Sequence, residues 1–314
     1  MRKPLPQIEP AGCRARIVPD MIETDPRFRS DDFWAEEKLD GARYLMHIGE
    51  QENRFSGRRI SKKTDLLIEK TDNVPHLRDM KLPDLAGTVI DGEITYRGRP
   101  VHQVTSVMGS SPDVARQRMQ TFGWIKYVIW DVLFLKHKDV RNAQQFERRQ
   151  MLEEVYHEWL EGFSWLHLMN YESNNKSNLF ERIVYINGGE GVVLKDISAP
   201  YGSGWVKVKK VQDDTVVIMG YTAGRNKYEN MVGAIRFGQY VDGHLMELGQ
   251  CSGIEDSFRL MLTKEGNSFI GRVMQIKFQE RLASGKFREP RFMRLRPDLD
   301  GAATRSCVWM RKGA

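Results

Sequence analysis

Apolar residues fall along this 314-residue chain in two styles. Over the first 210 residues, strand-like runs alternate with helical periods. Residues 42–48, 87–94 and 124–135 read as strands, the last apolar enough to be buried on both faces. Residues 143–161 read as a helix, because Leu152, Val155, Tyr156, Trp159 and Leu160 recur at helical spacing and form one stripe. A second helix over 178–186 places Leu179, Ile183 and Ile186 on one side, and Gly188-Gly189 stops it. Residues 191–195 then read as a strand.

Beyond Lys210 the segments shorten. Residues 215–221, 233–240 and 245–249 read as strands with turn residues between them, notably Asp242-Gly243. An amphipathic segment over 254–269 puts Ile254, Phe258 and Met261 on one face. Met274, Ile276 and Phe278 alternate with Gln275 and Lys277 as a half-buried strand does, and a last strand covers 291–296. Three strands, a helix and two strands is the order of an OB-fold barrel; an SH3-like barrel or a plain α+β appendage also fits the count. The expectation is an α+β protein with one domain over 1–210 and a second over 211–314, the boundary falling near 211–214.

Composition narrows the class. No window approaches 18 consecutive apolar residues, so no membrane helix is expected. The start, Met1 to Pro10, lacks the apolar core of a secretory signal. Cys13, Cys251 and Cys307 are odd in number and far apart, which suits free thiols in a reducing cytoplasm and offers no zinc spacing. The net charge of +6 is compatible with a polyanionic partner without requiring one.

The candidate chemistry lies in short clusters. Lys38-Leu39-Asp40-Gly41-Ala42-Arg43 offers an amine that becomes a nucleophile only if cations or burial favour its neutral form. A random lysine in this setting is a solvated surface charge. Arg43 has the planar fork that grips ribose hydroxyls or phosphate. Glu93, in Asp91-Gly92-Glu93, and Glu190, in Glu190-Gly191-Val192-Val193-Leu194-Lys195, suit a hard divalent cation as a pair, although singly each is an ordinary carboxylate. Trp130 sits in an apolar run, where core packing is the default and stacking on a base the alternative. Lys207 and Lys209 alternate with Val206 and Val208, so both ammonium groups leave one side of a strand. Two lysines converging on a phosphate would stabilise the charge that builds up during phosphoryl transfer.

With these clusters in this order, the chain resembles an ATP-dependent DNA ligase of the covalent nucleotidyltransferase superfamily, of the compact phage or bacterial kind. The likeness runs from about Pro10 to Asp298. It implies an ATP-grasp-like adenylation domain followed by a C-terminal OB-fold barrel. It also implies that Lys38 carries AMP and that Glu36 reads the adenine amino group. Arg43, Arg58, Glu93, Trp130, Lys207 and Lys209 would contact the nucleotide, with Trp130 stacked on adenine. Glu93 and Glu190 would hold Mg²⁺ or Mn²⁺. Arg58, Arg59, Arg294, Arg296 and Asp298 would serve DNA binding and the OB-domain motif. The sequence departs from the family pattern where Gly57 replaces a serine, where Leu299 replaces the lysine after Asp298, and in 201–205, which lacks an arginine.

The activity implied is sealing of nicked double-stranded DNA by a cytoplasmic monomer, in a bacterial or phage-infected cell. The basic runs Arg58-Arg59 with Lys62-Lys63, and Lys207-Lys209-Lys210, are candidates for phosphate contact. An RNA ligase or capping guanylyltransferase of the same superfamily, and a non-catalytic nucleic-acid-binding protein, are the alternatives.

Overall fold

Alternating side chains in the strands of the N-terminal region build two sheets, each with one apolar face and one face that carries polar groups. The computed structural model describes residues 2–13, 15–17, 22–96, 101–282 and 284–309, and contacts divide the chain into two units, Met1–Lys209 and Lys210–Ala314.

In the first unit, a seven-stranded sheet runs in the order Leu67–Glu69, Arg54–Ile60, Ala42–His47, Val89–Thr95, Lys126–Leu135 and Lys138–Asp139. Leu166–Leu168 lies parallel to Lys126–Leu135 off this path. One face gives Met46, Phe55, Ile90, Ile94 and Ile129 to the main core, where the helices Val101–Gly109, Pro112–Phe122 and Gln145–Val155 pack. The opposite face carries a smaller cluster of Ile8, Leu45, Val89 and Leu133. The second sheet has the order Ala15–Ile17, Trp205–Lys209, Gly191–Asp196, Phe33–Glu37 and Tyr171–Glu172. Its Ala35, Val192, Leu194, Val206 and Val208 pack on Phe180, Ile183 and Val184.

Both helices foreseen in this unit end in a π-helical turn. Gln145–Val155 continues into Tyr156–Leu160, and Lys176–Glu181 into Arg182–Ile186. The extra residue in such a turn shifts the phase of everything downstream. Ile186, expected on the apolar side, is therefore 78% exposed, while Phe180 and Val184 join Ile183 in the core.

The second unit is a five-stranded antiparallel sheet ordered His244–Cys251, Val232–Val241, Gln212–Ala223, Val273–Phe278 and Arg291–Leu295. A parallel bridge from Ser252 to Arg291 joins the two outer strands and closes the barrel. In chain order the helix Asp256–Glu265 falls between His244–Cys251 and Val273–Phe278, the third and fourth strands of the sheet's five. This is the OB topology. The core is Val216, Ile218, Ile235, Phe237, Leu248, Leu262, Met274, Ile276 and Phe278. Helix phase again departs from the expectation: Leu262 is buried and Met261 is exposed.

Candidate active site

The strand Phe33–Glu37 turns Ala35 towards the helix-packed face, so Trp34 and Glu36 point the other way. Directly opposed residues of an antiparallel pair share a face, and the register extends this polar surface across the sheet. Trp34 is opposite Lys195, which is opposite Trp205; Glu36 is opposite Val193, which is opposite Lys207. One residue past the strand, the Lys38 amide donates to the carbonyl of Gly191 at 2.8 Å, and Gly191 is itself opposite Lys209. Gly191 has φ +148, and a Cβ there would stand 2.0 Å from the Val208 carbonyl oxygen, so glycine permits this close pairing.

Glu190 ties the end of that surface together. Its Oε2 lies 2.7 Å from Lys38 Nζ and its Oε1 2.5 Å from Lys209 Nζ. Burial alone would raise the Glu190 pKa, but the Lys38 and Lys209 ammonium groups outweigh it and hold the carboxyl below its ordinary range. Lys207 Nζ donates to the Cys13 carbonyl at 3.1 Å. Glu36 is buried: Trp34 Nε1 donates to its Oε1 at 3.1 Å. Lys195 Nζ stands 2.7 Å from Glu36 Oε2 but off the hydrogen-bond direction, an ion pair by distance alone.

The seven-stranded sheet supplies the other residues. Arg43 is opposite Glu93 and Leu45 opposite Asp91, so these four share one face. Arg43 grips Asp91 with two bonds, Nε to Oδ1 at 2.9 Å and Nη2 to Oδ2 at 2.5 Å, and its Nη1 donates to the Ala11 carbonyl at 2.5 Å. Tyr201 Oη donates to Asp91 at 2.7 Å and accepts from Arg43 at 3.1 Å. The guanidinium lies 5.4 Å from the Trp130 ring and 5.5 Å from the Trp205 ring, and Lys195 Nζ lies 5.9 Å and 5.0 Å from the same two rings. Cations from both sheets thus meet the two indoles.

The Glu93 carboxyl makes no hydrogen bond or ion pair among the described residues. Burial pushes its pKa up to about 8, against the opposing pull of Lys38 and Arg43. Gly41 packs on it: a Cβ there would lie 2.7 Å from Glu93 Cγ and 2.4 Å from the Ile94 carbonyl oxygen. Next to Trp130, Asp131 forms a fully buried ion pair with Arg148 (2.8 Å). Gln145 joins this pair and accepts from Trp205 Nε1 at 3.0 Å, so one network fastens strand, helix and second sheet.

Eight residues singled out in the sequence therefore come together in the first unit: Glu36, Lys38, Arg43, Glu93, Trp130, Glu190, Lys207 and Lys209. Arg58 and Arg59 stand exposed on Arg54–Ile60 and take no part in these contacts. In the second unit Arg294 donates to Gln275, and Arg296 pairs with Asp298 at 2.6 Å in solvent. Leu299 packs with Val217, Val273 and Cys307. Sequence reasoning gave no role in the site to Lys195, Asp91, Tyr201 or Trp205. The spacing of Asp91 and Glu93 was a usable signal, since alternate strand residues share a face. Nothing local marks Tyr201.

Among the described residues no group of three or more His, Cys, Asp or Glu side chains could hold a metal ion. A surface cleft of about 380 Å³, lined by Arg149, Tyr156, His157, His167 and Tyr171 among others, contains none of the eight residues.

Residues 14–209 match the model of the ATP dependent DNA ligase domain family. The chain belongs to the ATP-dependent DNA ligase family. It is similar to the DNA ligase of Methanopyrus kandleri, with 28% identity over 83% of this chain and 52% of that protein. It is also similar to a probable DNA ligase of Streptomyces avermitilis, with 26% identity over 68% and 42%. The chain thus spans about half the length of the curated relatives it matches. A solved Lig E DNA ligase, described as binding DNA with a minimal scaffold, shares the fold at TM-score 0.65 and 19% identity, covering 92% of this chain and all of that one. No helix among the described residues is long and apolar enough to cross a membrane.

Proposed function

We propose that this chain is an ATP-dependent DNA ligase that seals nicks with a 5′-phosphate and a 3′-hydroxyl, working as a cytoplasmic monomer. The observation that carries the reading is the placement of the Lys38 amine, 2.7 Å from Glu190, beside Lys209 and on the sheet surface that also bears Lys207. In the first step Lys38 Nζ attacks the α-phosphorus of ATP; a P–N bond forms and the bond to the pyrophosphate oxygen breaks. AMP then passes to the 5′-phosphate of the nick, and the 3′-hydroxyl attacks that phosphate as AMP leaves. Each step is an in-line displacement, so positioning and charge neutralisation supply most of the acceleration.

Lys38 must lose a proton before it attacks, and Glu190 is within reach to take it. While Lys209 holds Glu190, the carboxylate is a weak base. A phosphate that draws Lys209 away removes that cation and makes Glu190 a stronger proton acceptor. Substrate arrival thereby activates the nucleophile. Trp130, flanked by Arg43 and Lys195, offers a flat face for adenine.

Glu93 fits an Mg²⁺ site, being a half-buried carboxyl without a protein partner whose charged form is disfavoured until a cation arrives. Glu190 could share it once a lysine moves. A bound divalent ion would neutralise charge on the triphosphate. The test is sealing of a 5′-phosphorylated nick with ATP and Mg²⁺. The unmodified chain should seal and become adenylated, and Lys38→Ala should do neither while still binding DNA. Labelling by GTP alone, or joining of RNA alone, would overturn the reading in favour of its superfamily relatives.

A further inference from the structure

We propose that residues 2–13 form a positioning strap whose backbone carbonyl at Cys13 aims Lys207 at the nucleotide; this rests on the ligase reading above. The far end of the segment is fastened to the seven-stranded sheet and the turns beside it. Arg2 pairs with Asp72 at 2.8 Å and Glu52 at 2.7 Å. Lys3 offers its carbonyl to Arg54 at 2.7 Å, and Gln7 Oε1 accepts the Leu67 amide at 2.7 Å. Ile8 is buried with Leu45, Val89 and Leu133. The near end reaches the site. The Ala11 amide donates to Tyr201 Oη at 3.2 Å while its carbonyl accepts from Arg43. The Cys13 carbonyl accepts from Lys207, and its thiol donates to the Trp205 carbonyl at 3.2 Å. Residues 15–17 then pair parallel with Trp205–Lys209.

The acceptor's chemistry makes this more than packing. Lys209 is held by a carboxylate, whereas no carboxylate pairs with Lys207 among the described residues. A neutral carbonyl fixes the direction of an ammonium group without cancelling its charge, so Lys207 is oriented yet still attractive to phosphate. A long lysine side chain left to itself would have to be immobilised as the nucleotide binds, at an entropic cost to affinity. Holding it beforehand is preorganisation. A carbonyl can do so only if the chain that bears it is itself fixed, and the anchors at Arg2, Gln7 and Ile8 meet that need.

The test uses the full chain with Arg2→Ala and Gln7→Ala together, neither residue lying in the site. Cys13 is the reporter, since Cys251 and Cys307 are buried and Cys13 is half-buried. Cutting the anchors should speed alkylation of Cys13 several-fold. It should raise the ATP concentration for half-maximal self-adenylation about tenfold and leave the rate at saturating ATP within twofold. A merely structural role would instead lower the active fraction at every ATP concentration. Should the double variant fail to fold, Gln7→Ala alone gives the same readouts in smaller measure. Unchanged Cys13 labelling, or an unchanged ATP requirement in a chain that still adenylates, overturns the strap. Absence of adenylation in the unmodified chain overturns the ligase reading itself and the strap with it.

Discussion

Glu190 shows how one carboxylate can set the state of a site. With Lys38 on one oxygen and Lys209 on the other, it holds both cations in place. Glu190→Gln keeps the shape and removes the charge. Self-adenylation should fall by about tenfold or more, with the melting temperature little changed, as single-turnover labelling and thermal denaturation would show. Two histidines, the buried His47 and the half-buried His76, govern a different property. His47, bonded to Ser56, and His76, bonded to the Ile125 carbonyl, are each pushed down to about 4 by burial. Between pH 6.5 and 4 the unfolded chain binds protons at these positions that the folded chain refuses, so stability falls as pH falls through that window. His47→Gln should flatten the decline by up to about one proton, measured as the pH dependence of unfolding free energy. At this scale the sequence was informative where spacing carries chemistry, as in 38–43 and 207–209. It was silent on Tyr201 and Arg148, whose partners lie 110 and 17 residues away.

Elements matter here through what fastens them. The Asp131–Arg148 pair is shut off from water, and its Gln145 neighbour reaches Trp205 on the other sheet. Arg148→Met would strand a buried carboxylate and should destabilise the chain by about 3–5 kcal/mol. Adding Asp131→Leu should recover part of that loss in the same urea titration. Most strands were legible because a period of two, or a wholly apolar run, is hard to mistake. Arg54–Ile60 was not, as its last three residues are exposed and include two arginines. The helices Val101–Gly109 and Pro112–Phe122 also escaped, the second because its stripe is only Ala115 and Met119. Helix faces were misjudged at Ile186 and Met261. At Ile186 the π turn explains the error, since a uniform 3.6-residue period cannot anticipate i→i+5 bonding.

Across the whole molecule, charge is unevenly shared. Residues 1–209 hold 31 Lys and Arg against 30 Asp and Glu, whereas residues 210–314 hold 17 against 12. Nearly all of the net +6 therefore belongs to the barrel unit, where Arg291 and Arg294 lie exposed on one strand. If these two meet phosphates, Arg291→Ala with Arg294→Ala should weaken binding to a nicked duplex and lessen the slope of log affinity against log salt by roughly two. Titrations between about 50 and 200 mM salt would measure it. The barrel's order was readable from turn residues and periodicity, but its closure through Ser252 and Arg291 was not, since a single bridge leaves no periodic trace. The apolar niche around Leu299 bears on any attempt to place a lysine there. Leu299 fills space between Val217, Val273 and Cys307, and the neighbouring Asp300 accepts the Val273 amide at 2.7 Å. A lysine there would strip a hydrocarbon contact from the barrel and oblige a charged tip to find its own way to water. Leu299→Lys would therefore weaken this barrel.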